Sequence, residues 1–133
     1  MELYKNYKSN QISGESNDIS HHKIGNVIVI KLEGENLDAQ EAPDFKQKAN
    51  DLISKEGSNH VVLDLSGLNF IDSTGLGSFL SLMRGLNSSQ GDMKLANMSS
   101  PIHTIFELVC MHKIFEIYDS VEEAVAAFEK QKA

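Results

Sequence analysis

Short apolar stretches alternate along the chain with longer segments in which apolar residues recur every three or four positions. The stretches at 26–32, 60–66, 93–98 and 114–119 are typical of strands. The segments between them predict helices, and the residues from His22 predict a hairpin partner for the first of these strands. The resulting order, β-β-α-β-α-β-α-β-α, is typical of an α/β fold with a mostly parallel sheet and right-handed crossovers.

Several residues mark where the predicted helices begin and end. Pro43 fits only the first turn of the first helix, and Gly57 lies just past its end. Ser120 and Glu123 form a Ser-x-x-Glu capping box at the start of the last helix. The third helix shows an apolar stripe at Ile102, Ile105, Leu108 and Val109.

The length of 133 residues suits one domain with its own core. Residues 1–17 are polar and show little periodicity, so we expect a flexible tail followed by one domain over 18–133. The chain has a single cysteine, Cys110, which excludes a disulfide within the chain. We expect Cys110 to pack in the core.

The charge and the apolar content limit which partners and which cellular environment are expected. The chain carries 12 basic and 19 acidic residues, a formal net charge of −7, which argues against a nucleic-acid partner because such a partner needs a basic face. No apolar run approaches the ~18 residues of a membrane span, so we expect no membrane association. The N-terminal residues lack the apolar stretch of a secretory signal, and we therefore expect a cytoplasmic protein.

The residues LDLSGLNFIDSTGLG, at 63–77, carry the candidate chemistry of the chain. They place an acid, two hydroxyls and two glycines where a buried strand leads into a helix. In open α/β sheets this edge is where sites form, and the start of a helix accepts an anion. The pattern is compatible with a helix cap, a nucleotide loop, a nucleophile turn, or a serine presented to another protein for modification.

The residues around Ser73 do not match three common enzyme motifs. A phosphate-binding P-loop needs a lysine after its last glycine, and none follows Gly75 or Gly77. The dinucleotide fingerprint would need glycine at the position of Leu80, and a nucleophile elbow would need glycine at the position of Ile71. No spacing ties a histidine base to Ser73. We therefore expect no enzyme activity and no bound cofactor.

A metal site is not indicated either. His21 and His22 are adjacent on a predicted strand, so their rings point to opposite faces. The other histidines are scattered along the chain and form no ligand spacing. We expect no metal.

A plain helix cap explains part of the Asp-Ser-Thr-Gly-Leu-Gly turn. Asp72 or Ser73 would cap the helix, but each glycine in a helix costs about 1 kcal/mol relative to alanine. We expect Gly75 and Gly77 to leave the outer side of the helix start bare, so that the backbone of another protein can approach the hydroxyl. From the residues alone, both the cap and the interaction surface remain open.

At this point the sequence resembles a known family. The residues VVLDLSGLNFIDSTGLGSFLSLMR resemble the signature of anti-sigma factor antagonists, which are small proteins of the STAS domain family. VIVIKLEGENLDAQEAPDFKQK is similar to the family's first long strand, Leu-Asp turn and first helix, and residues 99–128 are similar to its last third. The resemblance covers about residues 22 to 130 and implies a short sheet flanked by helices on one side.

The resemblance also implies a mechanism of partner switching in bacterial signalling. An anti-sigma factor that is also an ATP-dependent serine kinase would bind the unmodified antagonist, freeing a sigma factor for transcription, for example in a stress response. That kinase would phosphorylate Ser73 and the complex would dissociate, and a PP2C-type phosphatase would reverse the change. ATP would be bound by the kinase rather than by this chain, which would be a monomer when free.

The resemblance implies a partner surface around Ser73. We hypothesise that this surface consists of Asp38, Asp72, Thr74, Gly75, Leu76 and Gly77. Asp38 matches the family's Leu-Asp turn, and Thr74 is an alternative acceptor of the phosphate. Asn36 is one residue more than the family pattern contains and could shift Asp38 relative to Ser73.

A second function remains open. A STAS domain can instead serve as a scaffold in a stress-sensing complex, as an accessory subunit in lipid transport, or as a regulator of another kinase output. The residues do not discriminate between these targets and a sigma factor.

Overall fold

The computed structural model describes residues 19–132. The predictions of a flexible tail over 1–17 and of a domain boundary at 18 lie outside the described residues. The main sheet has five strands in the order β1-β2-β4-β6-β7, with β1 antiparallel to β2 and the other neighbours parallel. The strands are β1 (Ile19–Ile24), β2 (Val27–Leu32), β3 (Asn36–Leu37), β4 (His60–Asp64), β5 (Phe70–Ile71), β6 (Asp92–Ala96) and β7 (Glu116–Tyr118).

Four helices connect or follow these strands, as the sequence predicted. They are α1 (Ala42–Glu56), α2 (Ser73–Ser88), α3 (Ser100–Leu108) and α4 (Val121–Lys132). Pro43 lies in the first turn of α1, and Gly57 ends that helix with a left-handed φ of 72°. The Ser120 hydroxyl accepts a hydrogen bond from the backbone N–H of Glu123 at 3.1 Å, as expected at the start of α4. The prediction of a single α/β domain with a mostly parallel sheet is confirmed.

The helices cover both faces of the sheet. α1, α2 and α3 pack on the face formed by Ile28, Ile30, Leu63 and Leu95, which agrees with the predicted flanking side. α4 departs from that prediction, because Ala124 and Phe128 pack on the opposite face against Val29 and Val62. Successive side chains of a strand point to opposite faces, so the uninterrupted apolar runs of β2 and β4 need cover on both sides.

The end of α3 differs from the sequence-based prediction. Ile102 and Phe106 are buried, whereas Leu108 and Val109 are 77% and 49% exposed. The helix ends at Leu108, so the continuation of the apolar stripe faces solvent. The expectation that Cys110 packs in the core is wrong, because this residue is exposed and occupies a turn with a left-handed φ of 61°.

A second, two-stranded sheet lies at the edge where β2 and β4 end. β3 pairs in parallel with β5, with Asn36 opposite Phe70 and Leu37 opposite Ile71. The carbonyl of Glu35 accepts hydrogen bonds from the backbone N–H groups of Asn69 and Phe70, at 2.8 and 3.1 Å. This small sheet joins the two loops that carry the candidate site, and it was not predicted from the sequence.

Candidate functional site

Asp72 holds the candidate site together. It occupies the position before the first residue of α2, with extended backbone angles, and its Oδ1 accepts a hydrogen bond from the N–H of Gly75 at 3.0 Å. Its Oδ2 accepts a second bond from the N–H of Ala39, also at 3.0 Å. The N–H of Asp72 donates to the carbonyl of Leu37 at 3.3 Å. Asp72 is therefore both a helix cap and a clamp between α2 and the turn that precedes α1.

Asp38 shapes the turn that precedes α1, which Asp72 contacts through the N–H of Ala39. Its Oδ1 accepts hydrogen bonds from the N–H groups of Gln40 and Glu41, at 3.1 and 3.2 Å. The side chain therefore folds the chain into the start of α1. Asp38 directly follows the Leu37–Ile71 pair, and Asp72 follows it on the other strand. The register thus brings the two acids together, with Asn36 accommodated inside β3.

The hydroxyl groups of Ser73 and Thr74 take no part in the hydrogen bonds made by Asp38 and Asp72. Ser73 and Thr74 are the first two residues of α2, and both are exposed. Neither hydroxyl makes a hydrogen bond to any of the residues that the structure describes. What the turn offers is an accessible hydroxyl at the start of a helix, where backbone dipoles favour an anion.

The two glycines of the turn have opposite environments. Gly75 is buried, and a Cβ atom at this position would lie 2.2 Å from the carbonyl oxygen of Leu37. Gly77 is exposed, and a Cβ there would have no neighbour within 4 Å. The expectation that both glycines leave the outer side bare is wrong for Gly75, because the helix start approaches β3 closely at this position. Leu76 is only 5% exposed and belongs to the core rather than to the surface.

The surface around Ser73 therefore combines exposed and half-buried groups. Ser73, Thr74 and Gly77 are exposed, and Asp38 and Asp72 are half-buried. Among residues 19–132 no basic side chain forms an ion pair with either acid, so their negative charge is offset only by backbone N–H groups.

Phe70 was not predicted from the sequence as a site residue; it is 47% exposed and lies three positions before Ser73. Its neighbour Ile71 is 2% exposed. Adjacent residues of a strand point to opposite sides, so a strand that buries Ile71 turns Phe70 outward. This alternation within Asn-Phe-Ile-Asp was the available signal.

Other features of the described residues lie away from the serine turn. Two surface cavities of about 720 and 430 Å³ lie along β7, and neither is lined by the turn. Within 19–132 no three His, Cys, Asp or Glu side chains converge as metal ligands. The helices in this part of the chain are all too short or too polar to cross a bilayer.

The fold and the site define a small α/β domain in which a capped helix start presents a serine at the edge of the sheet. The model of the STAS domain family matches residues 18–124, and the chain belongs to this family. It is 30% identical over 112 residues to the anti-sigma F factor antagonist of Paenibacillus polymyxa. This match covers 84% of the chain and 93% of the relative.

Solved structures show the same fold. An anti-sigma factor antagonist from Mycobacterium paratuberculosis superposes with a TM-score of 0.74 at 21% identity, covering 86% of this chain and 96% of that one. The cell fate determinant SpoIIAA of Bacillus, solved in its phosphorylated form, superposes with a TM-score of 0.63 at 23% identity. That match covers 84% of this chain and 99% of SpoIIAA.

Proposed function

We propose that this protein is an anti-sigma factor antagonist whose binding is switched off by phosphorylation of Ser73. The observation that carries the proposal is an exposed serine at the first position of α2, on a turn that Asp72 fixes through hydrogen bonds to Gly75 and Ala39. The relative from Paenibacillus polymyxa, which bears the name of an antagonist, supports the same role.

The partner in this proposal is an anti-sigma factor that is also a serine kinase. The kinase binds ATP and transfers the phosphoryl group to the Ser73 oxygen, so this chain supplies the acceptor and no catalytic group. A phosphatase of the PP2C type removes the phosphate and restores binding. Thr74 lies beside Ser73 and is also exposed, but it follows the acid by two positions rather than one.

The outward part of the proposed partner surface comprises Ser73, Thr74, Gly77, Asp38 and Asp72. Gly77 lies one helical turn beyond Ser73 on the same side and leaves space for the partner's backbone. Gly75 and Leu76 lie beneath this surface. Both are buried, and they set how closely α2 approaches the two-stranded sheet. The site residues thus divide into groups that touch the partner and groups that position them.

Phosphorylation works in this scheme through charge and hydration. The phosphate adds about −1.5 to −2 charges close to Asp72 and Asp38, which no described cation neutralises. Backbone N–H groups at the start of α2 offset part of this charge within the antagonist. A partner that closes over the serine must strip water from the new anion, and a misplaced charge in an interface costs several kcal/mol. Each 1.4 kcal/mol lowers the affinity about tenfold.

The test is a pull-down from the native cell extract with wild type, Ser73→Ala and Ser73→Asp as baits, read by mass spectrometry. We expect a serine kinase on the Ser73→Ala bait and its loss from the Ser73→Asp bait. Thr74→Asp tests the alternative acceptor, because it adds the same charge one residue further on. Equal capture of the kinase by Ser73→Ala and Ser73→Asp would contradict the switch, and loss only with Thr74→Asp would move it to Thr74.

A further inference from the structure

Phe70 is an aromatic side chain that the fold leaves in solvent. Five large hydrophobic side chains of residues 19–132 are exposed, and Phe70 is the one aromatic among them. The other four are Ile24, Leu108, Val109 and Ile114. An exposed phenyl ring forgoes the ~1.5–3 kcal/mol that burial of such a side chain contributes, and burial against a partner would recover it.

The backbone fixes the position of this ring. Phe70 belongs to β5, where it pairs with Asn36 of β3. Its N–H donates to the carbonyl of Glu35 at 3.1 Å, and the N–H of Asn69 donates to the same oxygen at 2.8 Å. A side chain presented from a paired strand loses less conformational entropy on binding than one presented from an unpaired loop.

The ring lies within reach of any protein that covers Ser73. Three residues of extended chain span at most about 10 Å. A standard protein interface buries about 800 Å² on each partner, a patch about 30 Å across. Phe70 therefore lies within the radius of an interface centred on Ser73.

We propose that Phe70 is the apolar anchor of the partner surface and inserts into an apolar pocket on the anti-sigma factor. This inference rests on the proposed function and assigns separate roles to two residues: Phe70 supplies affinity, and Ser73 controls it. Burial of the ring supplies affinity in the unmodified state, as buried aromatic residues do at the centres of many interfaces. The phosphate on Ser73 places a hydrated anion beside the ring and prevents the pocket from closing over it.

Affinity for the purified kinase retained by the Ser73→Ala bait tests the anchor. We expect Phe70→Ala to bind that kinase at least about tenfold more weakly, and Phe70→Leu to stay within about threefold of wild type. Ile24→Ala is the matched control. Ile24 is also exposed, at 36%, but it pairs with Val27 at the opposite end of the sheet. The melting temperatures of all three variants establish that they are folded, and adding these three baits to the pull-down repeats the comparison in the extract.

The results separate the proposed role of Phe70 as an anchor from the proposed switch at Ser73. Equal affinity of Phe70→Ala and wild type overturns the anchor, and so does a matching loss with Ile24→Ala, which would indicate general apolar adhesion. Loss with Phe70→Ala, together with equal binding of Ser73→Ala and Ser73→Asp, keeps the anchor and rejects the switch. Capture of no kinase by any bait overturns both.

Discussion

At the scale of residues, Asp72 ties the start of α2 to the turn before α1, and Gly75 sets how closely that helix approaches β3. Asp72 could be predicted as a cap, because an acid before the first apolar residue of a helix is a strong start signal. Its second bond, to the N–H of Ala39, could not be predicted, because Ala39 lies 33 residues earlier and the contact depends on β3 pairing with β5. The inward position of Gly75 depends on the same pairing.

Gly75 and Gly77 provide a matched pair of substitutions. Gly75→Ala places a Cβ 2.2 Å from the Leu37 carbonyl oxygen and 2.6 Å from Cγ1 of Ile71, so β3 must move. We expect a loss of about 1–3 kcal/mol in the free energy of unfolding, typical of overpacking. Gly77→Ala meets nothing within 4 Å and should gain up to about 1 kcal/mol from helix propensity. Urea denaturation measures both, and equal stability of the two variants would contradict the close approach at Gly75.

At the scale of elements, a buried lysine attaches β7 and α4 to the sheet. Lys94 of β6 is fully buried, and its Nζ lies 2.6 Å from Oε1 of Glu116 on β7. The same ammonium lies 4.5 Å from the ring centroid of Phe128 on α4, within the range of a cation–π contact. The Tyr118 hydroxyl donates to the same Glu116 oxygen at 2.7 Å. One buried charge thus connects a central strand, an edge strand and a helix.

This network predicts how stability depends on pH. The hydrogen bonds from Lys94 and Tyr118 lower the pKa of Glu116 below its usual value of 4.5 in the folded protein. A carboxyl group with a lowered pKa stabilises the fold above its unfolded pKa, and this contribution is lost as pH falls through the folded value. Glu116→Gln should therefore be less stable than wild type at pH 7, with the gap closing below about pH 4.5. Glu107→Gln, at an exposed position of α3, is the control.

Urea denaturation at pH 7 and pH 3 measures this gap, and a gap that stays constant between the two would contradict the role of the Glu116 carboxylate. The alkaline side has the opposite sign. Burial and the bond to Glu116 raise the pKa of Tyr118 to about 12. Its contribution is present below its ordinary pKa of 10.0 and is lost as pH rises through about 12.

The elements themselves were largely predictable, and their exceptions have physical reasons. The strand and helix order follows from the apolar runs of β2 and β4 and from the helical periodicity of α1. The end of α3 was misjudged, because Leu108 and Val109 continue the apolar pattern although the helix stops and the chain turns. β3 and β5 have two residues each, and so short an alternation does not by itself predict a strand.

For the whole molecule, the proposed switch separates binding from stability. A negative charge at the first position of α2 is favoured by the helix dipole by about 0.3–1 kcal/mol, and the neighbouring Asp72 opposes it. The two effects nearly offset each other, and no described side chain has to move to admit the exposed group.

We therefore expect Ser73→Asp to melt within about 5 °C of wild type, with an unchanged far-ultraviolet circular dichroism spectrum. Ser73→Ala, which removes the hydroxyl without adding charge, is the control for the substitution itself. A much larger fall in melting temperature for Ser73→Asp would mean that the negative charge acts by unfolding the partner surface, and the charge-and-hydration account would then be wrong even if the kinase were released.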